Sequence, residues 1–308
     1  MTLYKGDCLI ESDKIESGSV DLILTDLPYG TVKDIKNVDH GMSGKCEWDE
    51  VIDTKEIYKL AKRILRKNGK MVLFAQQPFT NELINKSIPN IPFSYSMIWE
   101  KDHFANALTA KKAPLNYYED VLVFSKKYDL EGIHPLRLYF KNIMQFIGLN
   151  LKQINNKLGH RKAEHCFYID STQFGICTEK TYLELIKVFN IDIMNGFKSF
   201  YEISKIDAGM TSTFNLWEGK KYKSNILKYK KDYDGHHPTQ KPVLLLEDLI
   251  KTFSNENDLV VDLTMGSGST GVAAKNLNRK FIGIEKDENY FKIAEDRINK
   301  QEKQLKIL

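Results

Sequence analysis

Cysteine is scarce in this 308-residue chain. Cys8, Cys46, Cys166 and Cys177 are the only four, none forms a C-x-x-C pair, and their spacing suits neither a zinc ribbon nor a disulfide framework. The fold must therefore hold without staples, as in a reducing cytosol. Long apolar runs are missing as well. No stretch reaches the roughly 18 uncharged residues of a membrane helix, and the opening Met-Thr-Leu-Tyr-Lys-Gly-Asp has no apolar signal core, which argues against a membrane partner and against secretion. Charge of one sign is not dominant: 45 Lys and Arg stand against 41 Asp and Glu, and a net +4 is too slight to argue for a polyanionic partner by itself. Internal repeats and low-complexity tracts are absent too.

Among what is present, the carboxyl-terminal third reads most clearly. Leu259-Val260-Val261 is a short apolar strand ending on Asp262, a glycine-rich turn runs from Met265 to Gly271, a helix continues to Leu277, and Phe281-Ile282-Gly283-Ile284 is a second strand ending on Glu285 before another helix. One such unit needs further parallel strands beside it, and the amino-terminal third supplies them. Val20 to Thr25 breaks at Asp26-Leu27-Pro28-Tyr29-Gly30, a helix spans roughly 55–66, and Lys70 to Ala75, Ser96 to Trp99 and Asp120 to Phe124 are strands. The expected fold is a doubly wound α/β sheet split between the two ends of the chain. Residues 1–126 and 213–308 are expected to form its two halves, with a helical insert over 127–212.

In open parallel sheets ligands bind beyond the carboxyl ends of the strands. The turn Gly266-Ser267-Gly268-Ser269-Thr270-Gly271 lets main chain approach a ligand without Cβ clashes, and Glu285 is placed to accept ribose hydroxyls. The turn also matches G-x-G-x-x-G, so a nicotinamide-dependent oxidoreductase is an open reading, as is a tight turn with no ligand. Asp262 favours a cofactor bearing an ammonium over a pyrophosphate. At the other strand end, an aryl amine is a poor nucleophile whose N–H hydrogens need acceptors. The Asp26 carboxylate and Leu27 carbonyl qualify, and Tyr29 offers a ring to stack on a flipped base.

These motifs together resemble the DNA amino-methyltransferases of the permuted (beta) order, in which a D-P-P-Y tetrapeptide precedes the cofactor loop. The resemblance implies a Rossmann-like sheet, S-adenosylmethionine as cofactor, double-stranded DNA as substrate, and base flipping with direct transfer to the amine. Its leading acid implies adenine N6, with cytosine N4 as the alternative; a non-catalytic DNA-binding regulator is the reading from another class. Asp26, Leu27, Pro28 and Tyr29 are the catalytic candidates, although Leu27 stands where the family has proline. For the cofactor the resemblance implies Asp7, Cys8 and Asp26 at the amino-terminal strands. It adds Thr239, Gln240 and Lys241 from a His237-Pro238-Thr239-Gln240-Lys241-Pro242 segment closing over the methionine end. Asp262, Thr264, Met265, Gly266, Ser267, Gly268, Ser269 and Thr270 form the methionine loop, with Glu285 and Lys286 at the ribose. Trp99 to Lys101 and Asn116 to Glu119 resemble segments lining the base pocket. His236 and His237 lack a partner cluster and shape a loop; no metal is expected. A second copy of the chain and a cognate restriction enzyme are open partners.

In the insert, Leu136 to Ile147 keeps helical spacing and Gly148 closes it. Asn150 caps a second helix that stops at Gly159, a third runs from Ala163 past Phe167, and Thr178 caps a fourth through Phe189. Short helix, glycine turn, helix is a helix-turn-helix pattern. It makes His160, Arg161, Lys162, Glu164, His165, Tyr168 and Gln173 candidates to reach DNA bases, against the alternative of a solvated polar face. Lys220, Lys221 and Lys223, interleaved with tyrosines between Phe214 and Asp234, are candidates to track phosphates, unless that run is only a solvated loop.

Overall fold

A computed structural model describes residues 1–28, 51–105, 111–129, 134–216, 219, 221–232 and 240–305. Tyr29, Thr239, Lys220, His236 and His237 lie outside them. The chain forms two compact units, one of residues 1–65, 69–127 and 213–308, the other of 66–68 and 128–212.

The first unit is built on an eight-stranded sheet. Its strands in chain order are β1 (Thr2–Lys5), β2 (Val20–Thr25), β3 (Leu65–Ala75), β4 (Phe93–Ala105), β5 (Asn116–Ser125), β6 (Ile226–Lys228), β7 (Leu259–Asp262) and β8 (Lys280–Glu285). They lie side by side in the order β1-β8-β7-β2-β3-β5-β4-β6. From β1 to β3 every pairing is parallel; β5 runs antiparallel to both β3 and β4, and β6 returns parallel to β4. Amino-terminal β2 thus pairs directly with carboxyl-terminal β7, which joins the two halves of the chain in one sheet. The expected fold class holds.

Strand residues point alternately to the two faces, and both faces are apolar. Ile23, Leu73, Phe124 and Val261 face one core with Ile57, Tyr58, Ala61 and Ile64 of α2 (Thr54–Ile64). Leu22, Leu24, Val72 and Val260 face the other, with Leu245, Leu249, Ile250 and Phe253 of α8 (Val243–Phe253) and Val272 to Ala274 of α9 (Ser269–Asn276). Each fully buried Leu or Ile contributes about 1.5–3 kcal/mol, so the doubly covered sheet is what fixes the strand ends. Asp53 caps α2 by accepting the Lys55 N–H at 2.9 Å, and Lys62 and Arg63 sit in its last turn, where the helix dipole favours cations.

The second unit packs α4 (Leu136–Ile147), α5 (Leu151–Leu158), α6 (Glu179–Phe189) and α7 (Phe200–Ala208) around Phe140, Ile154, Tyr182, Leu185 and Ile203. Gly148 and Gly159 end α4 and α5 at φ of 67° and 75°, and Asn150 with Gln153 forms a capping box. The third expected helix is a single 3-10 turn, Glu164–Phe167. The His165 carbonyl turns to the Gly175 N–H at 3.3 Å, while the Arg137 guanidinium gathers the Ile169 and Ser171 carbonyls, so the main chain leaves the helical path. One 3-10 turn therefore stands where the recognition helix of the expected helix-turn-helix would lie. Helix α7 carries its own sequence signal, a capping box of Ser199 and Glu202.

Candidate functional site at the strand ends

The topology brings the carboxyl ends of β1, β2, β7 and β8 to one edge of the sheet, together with the start of antiparallel β5. Asp7, Asp26, Asp262, Glu285 and Glu119 are among the acids at those ends.

Strands β2 and β7 are tied by hydroxyls. Thr25 Oγ1 donates to Asp262 Oδ1 at 2.8 Å and lies 2.9 Å from Thr264 Oγ1, which donates to the Asp26 carbonyl at 2.9 Å. Asp262 also accepts the Thr264 N–H at 3.2 Å and the Thr270 hydroxyl. Burial pushes its carboxyl up to about 6, against the pull of these donors. Sequence reasoning assigns Asp262 to a ligand ammonium; the contacts make it first the fastener that joins the glycine loop to the Asp26 strand. Thr25, which no motif singled out, is the other half of that fastener.

The glycine loop is held from below. Gly266 (φ 50°) donates its N–H to Glu285 Oε2 at 2.8 Å, and the Asp287 N–H meets Glu285 Oε1 at 2.8 Å. Burial raises the Glu285 carboxyl above its ordinary range. Gly268 (φ 83°) starts α9, and a Cβ there would stand 2.9 Å from that of Ala294, so the loop needs glycine for both conformation and space. Arg297, absent from every sequence motif, donates to the Ser267 carbonyl at 2.8 Å, to Ser267 Oγ at 2.9 Å and to Ser269 Oγ at 3.2 Å. It lies on α10 (Glu288–Leu305), and only tertiary structure reveals it. Met265 is buried under the loop; Lys286 is exposed beside it. Asp7 caps the short α1 (Cys8–Glu11) through the Leu9 N–H at 2.9 Å. Beside it Cys8 is buried, its thiol pushed up to about 12 by burial and by Asp7.

The Asp26-Leu27-Pro28 turn leaves β2 at this edge. The Leu27 side chain is buried in the core on the α2 side, so the family departure at this position gives the turn an apolar anchor where proline gives ring rigidity. Lys241 differs from expectation. Its ammonium pairs with Asp26 Oδ2 and, at 3.3 Å, with Glu119 Oε2. Gln240 does reach the loop, accepting from Ser267 Oγ at 3.3 Å.

The proposed DNA readers divide. Lys223 is turned inward and paired with Asp248, which removes it from a phosphate-tracking strip. Lys221 is exposed, its ammonium 5.4 Å from the Tyr222 ring centre. In the helical unit, Arg161 is 77% exposed and grips Glu164 with bonds of 2.7 and 3.1 Å. Tyr168 donates to the same carboxylate at 2.8 Å, and His160 pairs with Glu184 at 2.8 Å. Lys162, His165 and Gln173 are exposed on the same stretch, with His165 Nδ1 3.1 Å from the Gln173 carbonyl.

The chain matches the family model described as DNA methylase over residues 20–296. Over 134 residues it is 34% identical to the type II methyltransferase M2.LlaDCHI of Lactococcus lactis subsp. cremoris, an alignment that spans 44% of each protein. With the DNA adenine methyltransferase YhdJ of Escherichia coli (strain K12) it shares 26% identity over 308 residues, covering 97% of this chain and 82% of that one. Among solved structures, the M1.HpyAVI–SAM complex gives a TM-score of 0.54 at 20% identity over 97% of this chain and 98% of the other. At that identity the likeness is one of fold.

Proposed function

The chain belongs to the DNA methylase family, and on that footing we propose that this DNA methyltransferase moves the methyl group of S-adenosylmethionine to the N6 amine of an adenine flipped out of duplex DNA. The observation that carries the reading is the hydrogen-bonded junction of β2 and β7, where Thr25, Asp262 and Thr264 join the Asp26 turn to the glycine loop. Nicotinamide chemistry gives the Asp26 turn nothing to do, and a purely DNA-binding regulator needs none of this junction.

The residues present suit the cofactor. Glu285 is fixed by two main-chain N–H groups at the end of β8, and a carboxylate has acceptor capacity beyond two bonds for ribose hydroxyls. Asp7, at the end of neighbouring β1, is assigned to the adenine amine of the cofactor, and the glycine turn to the methionine end. When bound, the cofactor supplies an electrophilic methyl group on sulfur. The chain does the rest by orientation: the Asp26 carboxylate and the Leu27 carbonyl accept the N–H hydrogens of the target amine and offset the positive charge that grows on nitrogen. Tyr29 is assigned the stacking face from sequence. The exposed Arg161, Lys162, His165 and Gln173 of the helical unit, with His160, Glu164 and Tyr168 beside them, are assigned contact with DNA. The named relative supports adenine over cytosine, as does the leading acid of the motif. The bacterial relatives support action in the cytoplasm, and among the described residues no helix is long and apolar enough to cross a membrane.

The test is direct. The protein is incubated with duplex DNA and labelled S-adenosylmethionine, and the nucleosides are identified by mass spectrometry. N6-methyladenine is expected; N4-methylcytosine overturns the adenine assignment, and no transfer to any duplex overturns the enzyme reading.

A further inference from the structure

Four charged side chains line up at this edge in alternating sign: Lys101 of β4, Glu119 of β5, Lys241 just before α8, and Asp26 after β2. Lys101 Nζ meets Glu119 Oε1 at 2.5 Å, Glu119 Oε2 lies 3.3 Å from Lys241 Nζ, and Lys241 pairs with Asp26 Oδ2. Lys101, Glu119 and Lys241 are 8%, 7% and 8% exposed. Each ammonium also sits near an aromatic ring centre, Lys101 at 5.2 Å from Trp99 and Lys241 at 5.0 Å from Phe74. Building this chain requires four segments to converge and three charges to leave water, a costly arrangement that stability alone rarely favours.

We propose that Lys241, anchored by Glu119 and Lys101, is a positioning residue that holds the Asp26 carboxylate in the one orientation from which it accepts the hydrogens of the target amine. The inference rests on the methyl-transfer reading and adds to it. A carboxylate turns easily about its last bond, because that torsion has broad minima. An ammonium fixed by a second buried carboxylate removes this freedom, so the direction of Asp26 relative to the Leu27 carbonyl is set before the base arrives. The four charges sum to zero, so the site gains rigidity without a net buried charge. Desolvation opposes both charged forms, yet Asp26 and Glu119 raise Lys241 above its ordinary value, and Lys241 and Lys101 hold Glu119 below its own. Both stay ionised at neutral pH.

The pairing also defines what Asp26 does. A carboxylate beside an ammonium is a weak base and a good hydrogen-bond acceptor. The amine lone pair forms the N–C bond while the S–C bond breaks with its electrons remaining on sulfur. One amine proton then leaves to water after the methyl group has arrived.

The test compares wild type, Lys241→Met and Glu119→Gln in single-turnover transfer to duplex DNA at saturating cofactor, with S-adenosylmethionine affinity measured separately by equilibrium binding. Lys241→Met should lower the transfer rate on the order of a hundredfold, the scale of losing one preorganised electrostatic group, with cofactor affinity within about threefold. Glu119→Gln, which frees the lysine without removing it, should cost roughly tenfold. The rate–pH profile gives a readout that a scaffold role would not move. Asp26 faces Lys241 and Thr264 and feels the like charge of Asp262, with Glu119 and Lys101 behind the lysine. Taking the ammonium away leaves the like charge, so the acid limb of the rate should move to higher pH.

A Lys241→Met rate within about threefold of wild type overturns the proposal. So does weakened cofactor binding with a normal rate at saturation, which would return Lys241 to the methionine end. Should Lys241→Met fail to fold by thermal melting, Glu119→Gln decides, and an unchanged rate and pH profile in that variant overturns the proposal alone. Failure of the adenine reading would appear in the wild-type product, whereas failure of the inference appears only in the variants.

Discussion

The strand-end edge of the sheet and the 160–173 stretch of the helical unit are both polar and both assigned to DNA, yet they are held in opposite ways. At the edge these partners are distant in sequence and shielded: Thr25 bonds Asp262 across 237 positions in the interior, and buried Lys241 reaches half-buried Asp26 across 215. Around Arg161 in the helical unit the partners are close and partly exposed, Arg161 to Glu164 three positions apart and Tyr168 to Glu164 four, although His160 reaches Glu184 across 24 and Arg137 holds the Ile169 and Ser171 carbonyls across 32 and 34. Long-range buried bonds break only when the sheet itself comes apart, so the reacting geometry is preset. Short-range exposed ones exchange with water at little cost. A transferase needs the first where charge develops and the second where it must let go of one duplex and try another.

The largest effect should follow from removing the centre of the rigid region. Asp26→Ala should lower single-turnover methyl transfer by about a thousandfold or more, as loss of a group stabilising developing charge does, while S-adenosylmethionine affinity stays within about threefold. Loss of both together would mean that Asp26 serves the cofactor. The next effect is on stability. Asp262 is raised to about 6 in the folded protein from an ordinary 3.8. A raised value means that the folded state holds the proton more tightly than the unfolded chain. The stability this confers is therefore complete below about pH 4 and is lost as pH rises through about 6. Against Asp262→Asn, whose side chain does not titrate, wild type should lose on the order of 2–3 kcal/mol of unfolding free energy across that window and nothing further above it. Parallel urea-denaturation curves for the two proteins from pH 4 to 8 check this, and a constant difference would show that the fastener does not sense its burial.

How much of this was legible from residues alone follows from the same contrast. The Asp26, Asp262 and Glu285 strand ends could be read because apolar runs that stop on an acid are local patterns, and the permuted sheet follows from counting strands at both ends of the chain. The Asn150 and Gly159 signals that bound α5 were legible for the same reason. What stayed hidden is what the sheet assembles. Thr25 is one threonine at a strand end, Arg297 one arginine on a long polar helix, and the contact of Lys241 with Asp26 depends on a register between segments that no spacing encodes. The third insert helix was misread because the residues after Ala163 carry a helical pattern, while Arg137, far upstream, draws the following carbonyls aside. Lys223 was misread in the same way: a lysine in a basic run looks solvated until Asp248 meets it.

Two smaller perturbations sharpen the comparison from its two sides. Thr264→Val keeps the shape of the side chain but deletes the donor to the Asp26 carbonyl. A lost buried hydrogen bond costs about 1 kcal/mol, and because the bond fixes a catalytic turn the transfer rate should fall roughly tenfold. In the helical unit, Glu164→Gln removes the charge that keeps Arg161 on its own surface. The freed guanidinium becomes available to phosphate, so affinity for random-sequence duplex should rise by about two- to threefold at low salt, with a salt dependence steeper by roughly one phosphate contact. The transfer rate on saturating DNA should not change. Binding titrations at several salt concentrations, beside single-turnover assays, separate these outcomes. A fall in the saturated rate would mean that the exposed stretch helps set the reacting geometry, and the division between a preset edge and an exchangeable surface would no longer hold.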